Sequence, residues 1–254
     1  VTVLSGDIDH ETHPDTIDPH GVVTDTASIA GSNAYHVVYS ENVTATARLD
    51  GVTITGGWVL AGNPESYGGG MFNRAGGSPT LTFSGNAAAY GGGMANVQSA
   101  PTLINVTFAG NTAFREGGGM YNDRSHPTLT GVAFSGNAAS AMGGEGGGMV
   151  NVQSTLALTD VAFSDNRARR IGGGMVNKSS NVTLMTAAFS NNQAGETGWM
   201  GDGGGMYNQD SSLTLADVVF SGNQTFLNGD GGAIDNWSSH LSVTNATFSD
   251  NAAG

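Results

Sequence analysis

One repeated motif determines most of what this chain can fold into. The sequence Gly-Gly-Gly-Met-x-Asn, or a close variant of it, occurs seven times, and each copy is followed by a second asparagine that ends a Phe-x-x-Asn motif. The two asparagines are 15 residues apart in six copies and 13 apart in the first, whereas the gap to the next copy varies from 10 to 16 residues. A repeat of this length predicts stacked units whose constant half forms the core and whose variable half forms surface loops.

The asparagines form two columns if the units stack in register. The first column is Asn73, Asn96, Asn122, Asn151, Asn177, Asn208 and Asn236, and the second is Asn86, Asn111, Asn137, Asn166, Asn192, Asn223 and Asn251. Asparagines at equivalent positions of stacked strands can hydrogen-bond to one another. We therefore expect both columns to be structural amide ladders.

Apolar residues alternate with small polar ones ahead of each second asparagine. Phenylalanine stands three residues before it in all seven units, and in six units aliphatic residues stand five and eight residues before it. This spacing is typical of strands with one buried face, and a turn former such as Asn105 or Asp160 often separates the two apolar pairs. With a third strand at the Met-x-Asn segment, the pattern predicts an all-β parallel β-helix of about seven regular coils, with three short strands and three bends in each.

The first 57 residues depart from the repeat. We expect residues 1–57 to form a degenerate entry segment of the solenoid and residues 58–254 to form the repeat array, within one continuous domain. The entry segment contains an acidic loop in which Asp7, Asp9, Asp15 and Asp18 offer hard oxygen ligands for calcium. The loop lacks the glycine and distal glutamate of a calcium loop, which favours an ordinary solvated loop.

The charge of the chain limits its partners. The net charge is −13, with a single lysine and no cysteine. Nucleic acid and anionic membrane are not expected partners of such a surface, and no apolar run reaches membrane-spanning length. Because the chain does not begin with Met, we expect a mature form or a segment of a longer protein.

The repeat resembles that of a known family. The pairing of Gly-Gly-Gly-Met, or its variant at Gly231 to Ile234, with Phe-Ser-Gly-Asn at 83–86, 134–137 and 220–223 is similar to the repeat of polymorphic outer membrane proteins. It is also similar to right-handed parallel β-helix repeats of secreted bacterial surface proteins. The resemblance implies a right-handed β-helix in an extracellular or cell-surface location, and adhesion or surface architecture more often than catalysis. Because the shared motifs are structural, it implies no catalytic residues.

Two acidic residues precede the glycine runs of neighbouring coils. Stacking places Glu116 and Glu145 about one strand spacing apart, roughly 4.8 Å. Like charges at that distance repel unless they are splayed into water or bridged by a cation. We expect them to be splayed into water, with a calcium-bridged column or an acid pair for glycosidic cleavage as the alternatives.

A second column occupies the outward position of the Met-x-Asn strand. It is mostly apolar or aromatic, and its candidate ligand or partner residues are Phe72, Tyr121, Val150, Val176 and Tyr207. An apolar stripe on an exposed strand face favours contact with a partner surface or a glycan. The alternative is that the longer loops at 195–202 and 227–230 cover it.

The sequence as a whole favours a non-enzymatic extracellular structural or adhesive module of a bacterial surface protein, assembling end to end into a filament. Its expected partners are other copies of itself, other surface proteins or glycans, and no cofactor is expected apart from the calcium considered above. The alternative is a carbohydrate-active enzyme, a polysaccharide lyase or glycoside hydrolase, that uses carboxylates on adjacent coils.

Overall fold

The structure is a computed structural model that describes residues 2–5, 36–41, 49–58, 67–74, 79–196, 198 and 200–254. Its regular elements are β-strands, arranged in three parallel sheets. Nowhere in these residues is there a helix with the length and hydrophobicity needed to cross a membrane.

We name the three sheets by their strands. The Met–Asn sheet contains β2 (Val38–Glu41), β4 (Met71–Arg74), β7 (Met94–Val97), β11 (Met120–Asp123), β15 (Met149–Val152), β18 (Met175–Lys178), β21 (Met206–Gln209) and β24 (Ile234–Trp237). The long-strand sheet contains β1 (Thr2–Ser5), β3 (Leu49–Thr55), β5 (Pro79–Ser84), β8 (Thr102–Ile104), β9 (Thr107–Ala109), β12 (Thr128–Thr130), β13 (Ala133–Ser135), β16 (Thr155–Ser164), β19 (Asn181–Ser190), β22 (Ser212–Ser221) and β25 (His240–Ser249). The short-strand sheet contains β6 (Ala87–Tyr90), β10 (Thr112–Glu116), β14 (Ala138–Ala139), β17 (Arg167–Ala168), β20 (Gln193–Ala194) and β23 (Gln224–Thr225).

Each regular coil visits the three sheets in turn. In one such coil the chain passes from β15 in the Met–Asn sheet to β16 in the long-strand sheet and then to β17 in the short-strand sheet. All strand pairs are parallel and join equivalent residues, as in Met120 beside Met149 and Phe134 beside Phe163. The predicted parallel β-helix is confirmed.

The internal layout of a coil differs from the prediction. The two strands expected ahead of the second asparagine lie in one sheet, and from β16 onward they are assigned as a single ten-residue strand. The predicted bend between them is real, because Asn105 and Asp160 both have a φ of 54°, and Asp160 is skipped in the pairing of β16 with β19. The third sheet is instead the short-strand sheet, which follows the second asparagine in the half of the repeat assigned to loops.

The core consists of identical side chains stacked along the axis. The seven phenylalanine rings from Phe83 to Phe248 form one continuous stack, with ring centroids 4.7 to 5.2 Å apart and planes within 9° of parallel. A methionine column faces this stack, and the residues from Met94 to Met206 in it are fully buried. Each coil therefore completes its core only by contact with its neighbours.

Glycine is required where the short-strand and Met–Asn sheets meet. Gly117 has a φ of +70°, a backbone angle that residues other than glycine adopt only with strain. A Cβ atom at Gly118 would collide with the carbonyl oxygens of Gly147 and Ala138. The glycine runs thus allow a sharp corner between tightly stacked coils.

Candidate functional site

The first asparagine column is a hydrogen-bonded ladder. The amide nitrogen Nδ2 of each residue from Asn73 to Asn208 donates to Oδ1 of the equivalent residue in the next coil, up to Asn236, over 2.7 to 3.1 Å. The members from Asn73 to Asn208 are fully buried. These asparagines hold coils together and are not available to a ligand.

The second asparagine column makes more bonds per residue. Nδ2 of each residue from Asn86 to Asn223 donates to Oδ1 of its successor, up to Asn251, over 2.8 to 3.0 Å. The same Oδ1 atom also accepts the backbone N–H of the preceding asparagine, as in the 3.0 Å bond from Asn111 to Asn137. This ladder satisfies backbone groups at the bend after the long strand.

A serine column forms a third ladder that we did not predict. The backbone N–H of Ser99 donates to Oγ of Ser125, and the same bond repeats at 3.0 to 3.1 Å up to Ser239. The signal was present in the sequence, because serine stands three residues after the first asparagine in six units.

The expected ligand stripe is not an exposed face. Val150 and Val176 are fully buried, and Tyr121 and Tyr207 are nearly so. Together with Ala95 and Ile171 they form a second apolar cluster, against which the half-buried Phe72, Tyr67 and Tyr90 pack. The reason is the glycine corner, which folds the residue before each glycine run over the outward position of the following strand. The expected exposure was therefore wrong for most of the column.

The two glutamates are not splayed into water. Glu116 and Glu145 are paired by an isolated β-bridge, and Glu145 is 5% exposed. Lys178 Nζ lies 3.4 Å from Glu116 Oε1 and forms a second ion pair with Glu145 Oε2. Arg170 Nη1 donates to Glu145 Oε1 at 2.8 Å. The cation that bridges the carboxylates is thus the chain's single lysine, which corrects our expectation.

The electrostatics of this cluster follow from its burial. Burial raises the pKa of Glu116, and the charge of Glu145 adds to that effect, while Lys178 opposes it. For Lys178, burial acts to lower the pKa, but the two carboxylates outweigh it and the pKa lies above its ordinary value. Further along the same corner, burial raises the pKa of Asp235, with smaller contributions from Asp202 and Asp230.

An open cleft lies beside the cluster. It has a volume of about 640 Å³ and is lined by Tyr90, Arg115, Glu116, Ala141, Met142, Gly143 and Arg169. Tyr90 stacks on Tyr67 at 5.1 Å and contacts Tyr121 at the same distance, so its ring is held by two others. Arg115 lies over Tyr90, with the guanidinium carbon 6.0 Å from the ring centre.

The predicted calcium ligands Asp7, Asp9, Asp15 and Asp18 lie outside the described residues. Within the described ranges, no group of three or more histidine, aspartate or glutamate side chains is arranged to hold a metal ion. Calcium binding by the entry loop remains a prediction.

Removing the bridging lysine should destabilise the fold in a pH-dependent way. We expect Lys178→Met to cost about 3 kcal/mol at neutral pH, because it leaves buried carboxylates with less compensation. The pKa of Glu116 is raised on folding, so protonation of this group stabilises the fold fully below the ordinary value of 4.5, and that contribution is lost as the pH rises through the folded pKa. Without Lys178 the pKa of Glu116 rises further, so the loss of unfolding free energy caused by Lys178→Met should shrink as the pH falls toward 4.5. Denaturant unfolding across this range measures it.

Gln209→Met is the matched control, since Gln209 is the register neighbour of Lys178 in the next coil. The charge cluster would lose its assigned role if both variants had the same small, pH-independent effect.

One of three comparisons with known proteins gives a match. No curated protein and no solved structure matches the chain significantly. The family model described as "right handed beta helix region" matches residues 74–254, more than half of the chain. The match agrees with the three stacked parallel sheets and adds the handedness of the coil. The chain therefore belongs to the right-handed beta helix family.

Proposed function

We propose that this chain is a non-enzymatic extracellular structural or adhesive module of a bacterial surface protein. The observation that carries the proposal is that the two carboxylates best placed to act as an acid–base pair are already held in ion pairs. Glu116 and Glu145 are both engaged by Lys178, and Glu145 also by Arg170. These ion pairs balance the charges of the carboxylates and join neighbouring coils to one another, which is a structural role.

The surface of the corner supports the adhesive part of the proposal. Tyr67, Phe72 and Tyr90 are partly exposed and, together with the buried Tyr121, form a continuous set of ring contacts between 5.1 and 5.9 Å. Partly exposed aromatic side chains offer large contact areas and are enriched at binding surfaces. The resemblance of the repeat to polymorphic outer membrane proteins points to the same class of function.

End-to-end association is the finer part of this proposal. Phe248 is 51% exposed in β25, whereas its counterparts in the coils from β5 to β22 are fully buried. Val243 and Trp237 are also exposed in this coil. A further coil stacked on this one would bury Phe248 and Val243 as their counterparts Phe220 and Leu215 are buried, and another copy of the chain is one source of such a coil.

The proposal is tested by coating particles with the folded protein and measuring their retention on epithelial cells and on immobilised glycans. Particles coated with the heat-unfolded protein are the control. We expect retention only with the folded protein, and a solution mass that rises with concentration. Equal retention of folded and unfolded coats would overturn the adhesive role, and a constant monomer mass would overturn self-association.

A carbohydrate-active enzyme is the second candidate, favoured by one observation. Glu116 lines the open cleft and burial raises its pKa, as suits a general acid in glycoside hydrolysis. New reducing ends or unsaturated products released from a panel of polysaccharides, and abolished by Glu116→Gln, would establish it. Our proposal expects no such release.

A further inference from the structure

The bridging lysine at the glycine corner carries the one side-chain amine of the chain. The sequence contains no cysteine and no lysine other than Lys178. A disulfide therefore cannot join two coils of this solenoid, and a covalent link between coils needs another chemistry. An amine held against a carboxyl group can act as a nucleophile toward it and form an amide. The surroundings of Lys178 meet the requirements of that reaction.

Lys178 lies between the carboxylates of two earlier coils. Its Nζ is 3.4 Å from Oε1 of Glu116 and in ion-pair contact with Oε2 of Glu145. Apart from this ion pair, the buried Oε2 atom of Glu145 has no polar partner among the residues that the structure describes. The amine thus touches the one oxygen of Glu145 that no other group holds in place.

The backbone on both sides of this contact is fixed by the sheets. Glu145 is joined by parallel β-bridges to Glu116 in one neighbouring coil and to Ile171 in the other. Lys178 ends β18, where it is paired with Val152 of β15. Groups held in contact by rigid elements react much faster than the same groups free in solution, because the entropy of bringing them together has already been lost.

The site also excludes most water. Glu145 is 5% exposed, and Ile171 beside it belongs to the second apolar cluster. The side chains of Lys178 and Glu116 are 25% and 22% exposed. Removing water disfavours both members of an ammonium–carboxylate pair, so passing a proton from one to the other costs less here than in solution.

The proton must stay within the cluster. The two carboxylates keep the pKa of Lys178 above its ordinary value, so the ammonium does not give its proton to solvent readily. Burial raises the pKa of Glu116, which suits this group to receive that proton. The nucleophilic amine is therefore produced by transfer between neighbouring side chains.

Two groups are placed for the steps that follow. Arg170 Nη1 donates to Oε1 of Glu145 at 2.8 Å, so a guanidinium faces the oxygen on which negative charge develops during attack at the carboxyl carbon. Glu116 lies on the other side of the amine and can carry protons from Nζ to the leaving oxygen. Glu116 also lines the open cleft, which gives a released water molecule a path to solvent.

We infer that Lys178 and Glu145 condense to an amide that links two successive coils covalently. One ammonium proton passes by way of Glu116 to Oε2 of Glu145, and the lone pair of Nζ then forms a bond to Cδ while the carbonyl electrons move to Oε1 beside Arg170. Glu116 takes a second proton from Nζ and delivers it to Oε2. The bond from Cδ to Oε2 breaks as the carbonyl re-forms, and Oε2 leaves as water.

The reaction balances without a further reactant. An ammonium and a carboxylate become an amide and one water molecule, Glu116 returns to its ionised form, and nothing is oxidised or reduced. The inference goes beyond the proposed function and does not depend on it, because the link joins coils whether or not the rod adheres to another surface.

The test combines the mass of the intact, denatured chain with digestion by a lysine-specific protease. We expect the wild type to be lighter than its sequence by one water and to remain uncut, because its one cleavage site, Lys178, no longer has a free amine. Fragmentation of peptides cut at arginine should place the link between Lys178 and Glu145. A wild type of full sequence mass after prolonged incubation, cleavage at Lys178, or a link to Glu116 instead would each overturn the inference.

Lys178→Arg is the matched variant, because it keeps a positive charge between the carboxylates but replaces the amine with a guanidinium that stays protonated. It should have its full sequence mass. Glu116→Gln keeps a hydrogen-bonding side chain but cannot relay protons, so the amide should form about a hundredfold more slowly. Loss of water from Lys178→Arg, or an undiminished rate in Glu116→Gln, would contradict the inference. The wild-type result decides it even if a variant fails to fold.

Discussion

Replacing Phe134 by alanine should lower the free energy of unfolding by about 3 to 5 kcal/mol. The ring is fully buried between Phe108 and Phe163, with both centroid distances at 4.8 Å and the planes nearly parallel. Its removal leaves a cavity in the middle of the stack that neighbouring coils cannot fill, because their own positions are fixed by the asparagine ladders. Unfolding in guanidinium chloride measures the loss.

Phe248→Ala is the control because it changes the same residue at the same position of the repeat. Phe248 has one stacking neighbour, Phe220 at 5.2 Å, and half of it is exposed. We expect this variant to cost only about 1 kcal/mol. Equal costs for the two variants would mean that the phenylalanine stack is not a cooperative core.

Asn137→Ala should lower the free energy of unfolding by about 4 kcal/mol, although the residue is polar. Oδ1 of Asn137 accepts both the backbone N–H and Nδ2 of Asn111 at 3.0 Å, while its Nδ2 donates to the carbonyl of Phe108 and to Oδ1 of Asn166. Alanine leaves these buried groups without hydrogen-bond partners, and each group left unpaired costs roughly 1 to 3 kcal/mol. Denaturant unfolding gives the total.

Hydrogen exchange separates this mechanism from a general loosening of the fold. The backbone N–H of Asn111 should lose protection first, because its acceptor is the side chain that is removed. Asn181→Ala, at an exposed position of β19, should be nearly neutral. A uniform change in exchange along the chain would contradict the ladder as the source of the effect.

The stacked columns could be predicted from the sequence because periodicity determines them. Phe134, Met149 and Asn137 recur at constant spacing, and a parallel ladder places recurring residues beside one another. The position of a residue in the repeat therefore also determines which residues lie beside it in the sheet. This is why the core and both asparagine ladders followed from the repeat alone.

The exposure and pairing of residues at the glycine corner could not be predicted from the repeat in the same way. Whether Val150 is exposed depends on how sharply the chain turns at Gly146 to Gly148, and this angle leaves no trace in the spacing of apolar residues. The short strands such as β17 have too few residues for alternation to be recognised. The partners of Lys178 lie across the corner and in earlier coils, so the strand register that identified the core gave no indication of them.

The asparagine ladders also give the rod a direction. In both columns the bonds between side-chain amides run one way, with Nδ2 donating to the higher-numbered coil and Oδ1 accepting from the lower-numbered one, as in the series through Asn122 and Asn151. The dipoles of these bonded side-chain amides therefore add along the axis, so that each asparagine column offers an N–H donor at its high-numbered end and an oxygen acceptor at its low-numbered end. Two such ends can pair their amides only when the rods point the same way, whereas opposed rods would bring donor against donor. The polarity of a single side-chain column thus dictates the polarity of anything built by adding coils to it.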